Sequence, residues 1–309
     1  MAKGVWGVPG DVAAQIPQLV LSGVMVGMIY ALLGLGLVVT YTTTRIVNVA
    51  IGEFAMIGTL TAASLTGAGV PLGLAVLAGL AAGTAVGWGV YDLAMRPLLA
   101  RQAPVLSLLI LSIALHLVLK GLGLVVWGTE AYRLPPFSGG PPLTVGTAVL
   151  TRQGLWIIGA ALALMAALWL GFTRTLRGKA LVASAINPVG ARLMGIPVLA
   201  MGRQAFVLSA LLAAAGGILI APQTLADYDM GLMLGLKGFV GAVLGGMRDY
   251  PKVVAGCLAL GVAESLVAGL LPSGYRDAVA FLLLVAVLVA RAIPVLRHGV
   301  LAAEEAAQE

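Results

Sequence analysis

Charge is what this chain has least of. Only 30 of its 309 residues are Asp, Glu, Lys or Arg, whereas a soluble domain carries roughly 25%. Thirty charges cannot coat a water-facing surface of this size, so a soluble globular enzyme is excluded. Disorder is excluded too, because it needs low hydrophobicity and 61% of these residues are apolar. Histidine is confined to His116 and His298. No His/Cys/acid cluster has metal-ligand spacing, and no Ser/His/acid set stands out, so neither a metal site nor a catalytic residue is expected. Cys257 is the single cysteine; it cannot form an intrachain disulfide and reads as a small buried hydrophobe. A phosphate-binding Gly-x-x-x-x-Gly-Lys-Ser/Thr loop is also missing. Gly178-Lys179-Ala180 lacks both the first glycine and the hydroxyl, so the chain does not hold ATP by that device. A cleavable signal peptide is not expected, since Pro9, Asp11 and Pro17 interrupt the stretch where its apolar core would lie.

What is abundant is apolar sequence. Runs at about 16–41, 49–66, 71–95, 104–127, 154–172, 204–222, 234–247, 252–271 and 278–293 read as spans, at about 20 residues per crossing. The expected fold is all-α: one transmembrane domain over 1–309, a helix bundle of about eight to nine spans. The run 234–247 is short for a full crossing and is expected as a short or broken helix. The 42 glycines fit a packed bundle, because helices in lipid associate through close backbone contact at small residues. Gly79, Gly83 and Gly87 share one helical face, and Gly23/Gly27 and Gly241/Gly245 repeat the spacing.

The net charge of +6 is a topology signal. Arg45, Arg96, Arg101, Arg174, Arg177, Lys179, Arg192, Arg203, Arg248, Lys252, Arg291 and Arg297 fall on one predicted side. Lys3, Lys120, Arg133, Arg152, Lys237 and Arg276 fall on the other. The side richer in Lys and Arg is cytoplasmic, which places the N-terminus outside and the C-terminus inside. No nucleic-acid partner is implied. The loop 128–153, with Pro135, Pro136, Pro141 and Pro142, falls outside, where prolines order a loop without a sheet or helix. It is either a plain connector or a surface for an extracytoplasmic partner.

The cytoplasmic loop 173–203 holds five basic residues and no acidic one. Within it, Asn187-Pro188 followed by Val189–Met194 and Gly195 reads as a short helix with an Asn N-cap, Pro in the first turn and a Gly stop. Three ordered motifs then carry a resemblance. One is Arg174-Thr-Leu-Arg177-Gly178-Lys179-Ala with Ala185-Ile-Asn187 and Ala191-Arg-Leu-Met-Gly195-Ile196. The second is Gly235-Leu-Lys237-Gly-Phe-Val-Gly-Ala242-Val-Leu-Gly245-Gly246, continued by Gly261-Val-Ala263-Glu264-Ser265. The third is Ile46-Val-Asn48-Val-Ala50-Ile-Gly52-Glu53 with Met56-Ile-Gly58. Together with the span pattern they resemble LivH-type permeases, membrane subunits of the branched-chain amino acid ABC importer family, over most of residues 16–297.

The resemblance implies a transport subunit rather than an enzyme, in a prokaryotic inner membrane, moving a small polar solute inward by ATP-driven alternating access. Branched-chain or other amino acids are the expected solutes, with urea or short amides as the alternative. From another class, a self-sufficient secondary transporter or channel is the rival. The implied partners are cytoplasmic ATPase subunits, which hold the ATP, a second homologous permease and an extracytoplasmic solute-binding protein, within membrane lipid. No cofactor is implied on this chain. ATPase coupling falls to Arg174, Arg177, Gly178, Asn187, Pro188, Ala191, Arg192 and Gly195 of the 173–203 loop. The translocation path falls to Asn48, Gly52, Glu53, Lys237 and Glu264. Departures from the family are Val49 and Ile51, where Phe and His are usual, and Ile186, where an acidic or amide residue is usual.

Charges inside spans face a bundle interior or water, since each costs about 2.5–3.5 kcal/mol at the bilayer centre. Glu264 is expected near mid-membrane, as a paired structural carboxylate or on the path. Glu53 is expected one to two turns from the cytoplasmic edge, reaching water there. Lys237 has three candidate settings: Glu264, Asp229 or the outer vestibule. His116 reads as a satisfied buried histidine, and Asp92 as an interfacial partner of Arg96. Interruptions at 42–48 and 247–251 suggest broken helices at matching places in two halves.

Overall fold

Small residues decide where these helices touch. The computed structural model describes residues 12–145, 148–270, 278 and 280–289. It contains α1 Val12–Thr44, α2 Ile51–Gly67, α3 Leu72–Val90 and α4 Arg96–Ala100, the last two joined by a π-helical turn, Tyr91–Met95. Then follow α5 Val105–Trp127, the strands β1 Leu143–Val145 and β2 Ala148–Leu150, α6 Arg152–Arg174, α7 Leu176–Ile186 and α8 Pro188–Leu193. The remainder is α9 Val198–Ile220, α10 Met230–Gly245, α11 Tyr250–Leu270 and a short apolar α12, Ala280–Val289. Among the described residues six helices are long and apolar enough to cross a membrane: Gln15–Thr44, Leu72–Ala100, Val105–Trp127, Arg152–Arg174, Val198–Ile220 and Tyr250–Leu270. The chain is a multi-pass, nearly all-helical membrane protein. α2, α10 and α12 are shorter.

α1 and α9 form the buried centre, and α3, α5, α6 and α11 expose most of their surfaces. The glycine ladders make the joints. A Cβ on Gly79 would stand 2.4 Å from the Gly58 carbonyl oxygen, and one on Gly83 2.8 Å from that of Phe54, so α3 rides on α2 and α9 with no room for a side chain. Gly23 and Gly27 meet Val262 and Leu258 of α11, and Gly241 and Gly245 meet Cys257 and Val253. In lipid, where Leu gains little by leaving its surroundings, such backbone approach supplies the packing energy.

Three expectations need correction. The 128–153 loop holds an antiparallel hairpin, β1 with β2. The Gln18 amide brackets Val149: its Oε1 accepts from the Val149 N–H at 2.6 Å, and its Nε2 donates to the carbonyl at 3.2 Å. The loop 173–203 is mostly helical, because Thr175 caps α7 by accepting from the Gly178 N–H at 3.0 Å. The interruption expected at 42–48 lies at 45–50, because α1 stays helical to Thr44, whereas the one expected at 247–251 is present between α10 and α11. The latter is a tight turn, with Gly246 (φ 93°) and Met247 (φ 58°) left-handed.

Arg45 donates to the Ala185 carbonyl at 3.1 Å, and Arg203 Nε to Asp92 at 3.1 Å, with Arg96 also 3.6 Å from Asp92. These contacts gather Arg45, Arg96, Arg203 and the α7–α8 segment at one end of the bundle. Arg291 and Arg297 lie outside the described residues.

Candidate functional site

The α1–α2 connection, 45–50, does not stay at the bundle's end. Ser112 Oγ stands 3.3 Å from the Val47 carbonyl and 3.5 Å from the Val49 N–H, so the non-helical chain climbs along α5 into the interior. α2 therefore starts deep. At about 1.5 Å per residue, its 17 residues cover about 25 Å, short of the roughly 30 Å hydrocarbon core. Non-helical backbone is tolerated at such depth where it is buried in protein or lines a cavity. Here it borders a cavity of about 320 Å³ walled by Asn48, Ile51, Leu109, Gly235 and Phe239.

This placement overturns the expectation for Glu53. It is 1% exposed, and its Oε1 lies 2.9 Å from Nδ1 of His116, the central residue of α5. Glycine makes the position accessible: a Cβ on Gly231 would stand 2.6 Å from Glu53 Oε1, and one on Gly52 would overlap the Gly231 carbonyl. α2 and α10 thus cross at their starts through Gly52, Gly231 and Gly235. One turn beyond His116, Lys120 pairs with Asp229 at the start of α10 and lies 5.8 Å from the Tyr228 ring centroid. Half of this pair meets open space, with side chains 30% and 60% exposed. Asp229, Lys120, His116 and Glu53 form a polar ladder that descends to the middle of the bundle. At its foot Glu53 Oε2 and Asn48 Nδ2 are buried without a hydrogen-bond partner among the described residues.

Lys237 and Glu264 belong to a separate group. Of the three settings for Lys237, the structure shows Glu264: the two form a buried ion pair, and Tyr30 donates to the other carboxylate oxygen at 2.6 Å. Glu264 is fully buried. The triad ties α1, α10 and α11 together, on different residues from the Asn48–Glu53 group.

At the basic end, Asn187 caps α8 by accepting from the Gly190 N–H at 2.9 Å, and Gly195 (φ 76°) ends the segment in a left-handed conformation. Ala191 is buried, whereas Arg174, Arg177, Pro188 and Arg192 are exposed. Gly178 packs so closely on Gly171 of α6 that a Cβ would sit 2.0 Å from its carbonyl oxygen. Leu176, Ile186, Leu193 and Met194 stand more than 75% exposed. No group of three or more metal-ligating side chains is present among the described residues.

The polar ladder was only partly anticipated. Its signal is the i, i+4 series Ser112, His116 and Lys120, on the same side of α5 as the buried Leu108, Leu119 and Gly123. A stripe of polar residues within an otherwise apolar span marks an inward face, although His116 alone does not.

Comparison with known proteins agrees with this architecture. The family described as branched-chain amino acid transport system / permease component matches residues 19–288. The high-affinity branched-chain amino acid transport system permease protein LivH of Escherichia coli (strain K12) is 31% identical over 287 residues, 88% of this chain and 92% of its own. The corresponding permease protein BraD of Pseudomonas aeruginosa is 30% identical over 288 residues, 89% and 93%. A probable branched-chain amino acid transport permease protein LivH of Methanocaldococcus jannaschii is 31% identical over 279 residues, 84% and 83%. Matched along nearly its whole described length, the chain belongs to the permease-component family of branched-chain amino acid transport systems.

Proposed function

We propose that this chain is the membrane permease subunit of a prokaryotic ABC importer, carrying branched-chain or other amino acids inward across the inner membrane by ATP-driven alternating access. The observation that carries the coupling half of this reading is the α7–α8 pair. It projects apolar side chains (Leu176, Ile186, Leu193 and Met194) from an end of the bundle dense in arginine, on a short helix fixed by Asn187 and Gly195. An apolar, exposed and capped surface of this kind suits a protein partner better than water or lipid headgroups. The partner is a cytoplasmic ATPase, which hydrolyses ATP while this chain provides the path; the relatives are named as permeases, not enzymes. A second homologous permease completes the membrane core, and an extracytoplasmic binding protein delivers the solute.

The path runs down the Asp229–Lys120–His116–Glu53 ladder to Asn48 and Gly52. The unpartnered Glu53 Oε2 and Asn48 Nδ2 offer an acceptor for a solute ammonium and a donor for its carboxylate, which suits a zwitterionic amino acid better than urea. Lys237 and Glu264 brace the helices around this path. Purification from the native membrane should recover an ATPase subunit, and the reconstituted complex should take up labelled leucine only with ATP. Uptake driven by an ion gradient with no ATPase bound would replace this reading with a secondary transporter, and uptake of urea alone would reassign the solute.

A further inference from the structure

At the basic end, α1, α6, α7 and α11 enclose a cavity of about 620 Å³. Its walls are oily, with Leu35, Leu168, Phe172, Val182 and Val254 among them. A second cavity, about 400 Å³, adjoins it through the shared residues Val182, Ile186 and Tyr250 and is otherwise lined by Thr42, Arg45, Ala185 and Arg248. The two make one groove, apolar along its length and cationic at its mouth, with Lys179 also on its lining. Among the described residues no Asp or Glu lines either cavity. Asp249, beside Arg248, is held 3.1 Å from Lys252.

Arg45 occupies this mouth at a backbone cost. Its φ of 62° is left-handed, a conformation that Gly or Asn adopts far more readily than Arg. One guanidinium N–H donates to the Ala185 carbonyl, which holds the side chain across the mouth and leaves the rest of its donor fork for a ligand. Phe172 and Tyr250, aromatics of the kind enriched at membrane–water boundaries, pack ring against ring with centroids 5.4 Å apart.

We propose that this groove holds an anionic phospholipid, an acyl chain lying along Leu168, Phe172 and Val254 and the phosphate meeting Arg45 and Arg248. Charge and shape select this occupant. A zwitterionic lipid brings a cationic headgroup to the same two arginines, and free phosphate fills the mouth but leaves the oily length uncovered. Basic pockets between transmembrane helices bind anionic headgroups on the same grounds. α7 roofs the groove: its last residue, Ile186, lines both cavities, and the next, Asn187, caps α8. A bound lipid therefore props the α7–α8 pair. That consequence rests on the coupling role proposed above, whereas the binding itself does not.

The test is native mass spectrometry of the purified chain released from nanodiscs made of equal parts phosphatidylglycerol and phosphatidylcholine. Wild type should retain phosphatidylglycerol in clear preference. Arg45→Asn with Arg248→Gln should erode that preference by about five-fold per arginine removed, the attraction each basic side chain adds at an anionic surface. Both positions are exposed and Asn suits the left-handed backbone, so folding, checked by the melting temperature, should be unchanged. Ala183→Phe, which fills the oily length, should lose the retained lipid altogether. The proposal is overturned by equal retention of the two lipids in wild type, by a preference that survives both arginine replacements, or by displacement of phosphatidylglycerol with millimolar inorganic phosphate. None of these readouts involves transport, so failure of the importer reading would leave the binding result standing.

Discussion

Two buried carboxylates in this protein are held in different ways, and the difference matches the proposed division between a brace and the path. Glu264 has both oxygens engaged, one by Lys237 and one by Tyr30. Removing one partner of a buried pair strands a charge and costs about 3–5 kcal/mol, whereas replacing both by apolar residues is often close to neutral. Lys237→Met and Glu264→Leu should each lower resistance to unfolding sharply in detergent, and the double variant should recover much of the loss. If the triad is a brace, the double variant also transports; if it were part of the path, stability would return without uptake. Glu53, in contrast, keeps one oxygen on His116 and one without a partner. Glu53→Gln preserves size and a hydrogen bond to His116. It should leave expression and melting temperature near wild type while cutting amino-acid uptake by about ten-fold or more, the cost of losing a charge-assisted contact of about 1.5–3 kcal/mol. Normal uptake by this variant would remove Glu53 from the path.

At the level of elements, the joints made by glycine and the caps of α8 answer to different measurements. Gly83 leaves no space between α3 and its neighbours α2 and α9, so Gly83→Leu should destabilise the bundle by about 1–3 kcal/mol or more, as overpacking does, read as a lower melting temperature. Asn187→Ala removes a cap worth about 1 kcal/mol from a helix of six residues. The bundle should melt unchanged, while ATP-dependent uptake falls because α8 loses its fixed form. These elements were unequally legible in the sequence. The long apolar runs and glycine spacings follow from composition and period, which lipid enforces directly. The cap of α8 was legible because Asn-Pro and Gly act locally. α7 was not, since its basic residues look like loop and its first turn depends on Thr175 and on the seating of Gly178 against α6. The deep start of α2 was also hidden. Counted along the chain, Glu53 falls near the membrane edge, and only the tertiary path of 45–50 past Ser112 carries it to the centre.

For the whole molecule, the single cysteine makes the orientation directly measurable. Cys257 of α11 is fully buried against the glycines of α10 and α1, so the natural protein should be silent to a membrane-impermeant maleimide. A single cysteine added elsewhere then reports its own side. Glu130 is exposed beyond α5, in the segment where Tyr132 bridges to Ala226. Leu193 is exposed on α8 at the arginine-rich end. The excess of Lys and Arg predicts that α8 lies inside. Glu130→Cys should therefore label in intact cells, and Leu193→Cys only after the membrane is opened. Bound ATPase should then shield Leu193→Cys and leave Glu130→Cys reactive, because the proposed ATPase contact lies on the exposed apolar face of α7–α8. Labelling of Leu193→Cys in intact cells would invert the molecule and with it the direction of transport. Labelling inside that is indifferent to the ATPase would keep the topology and move the docking surface elsewhere.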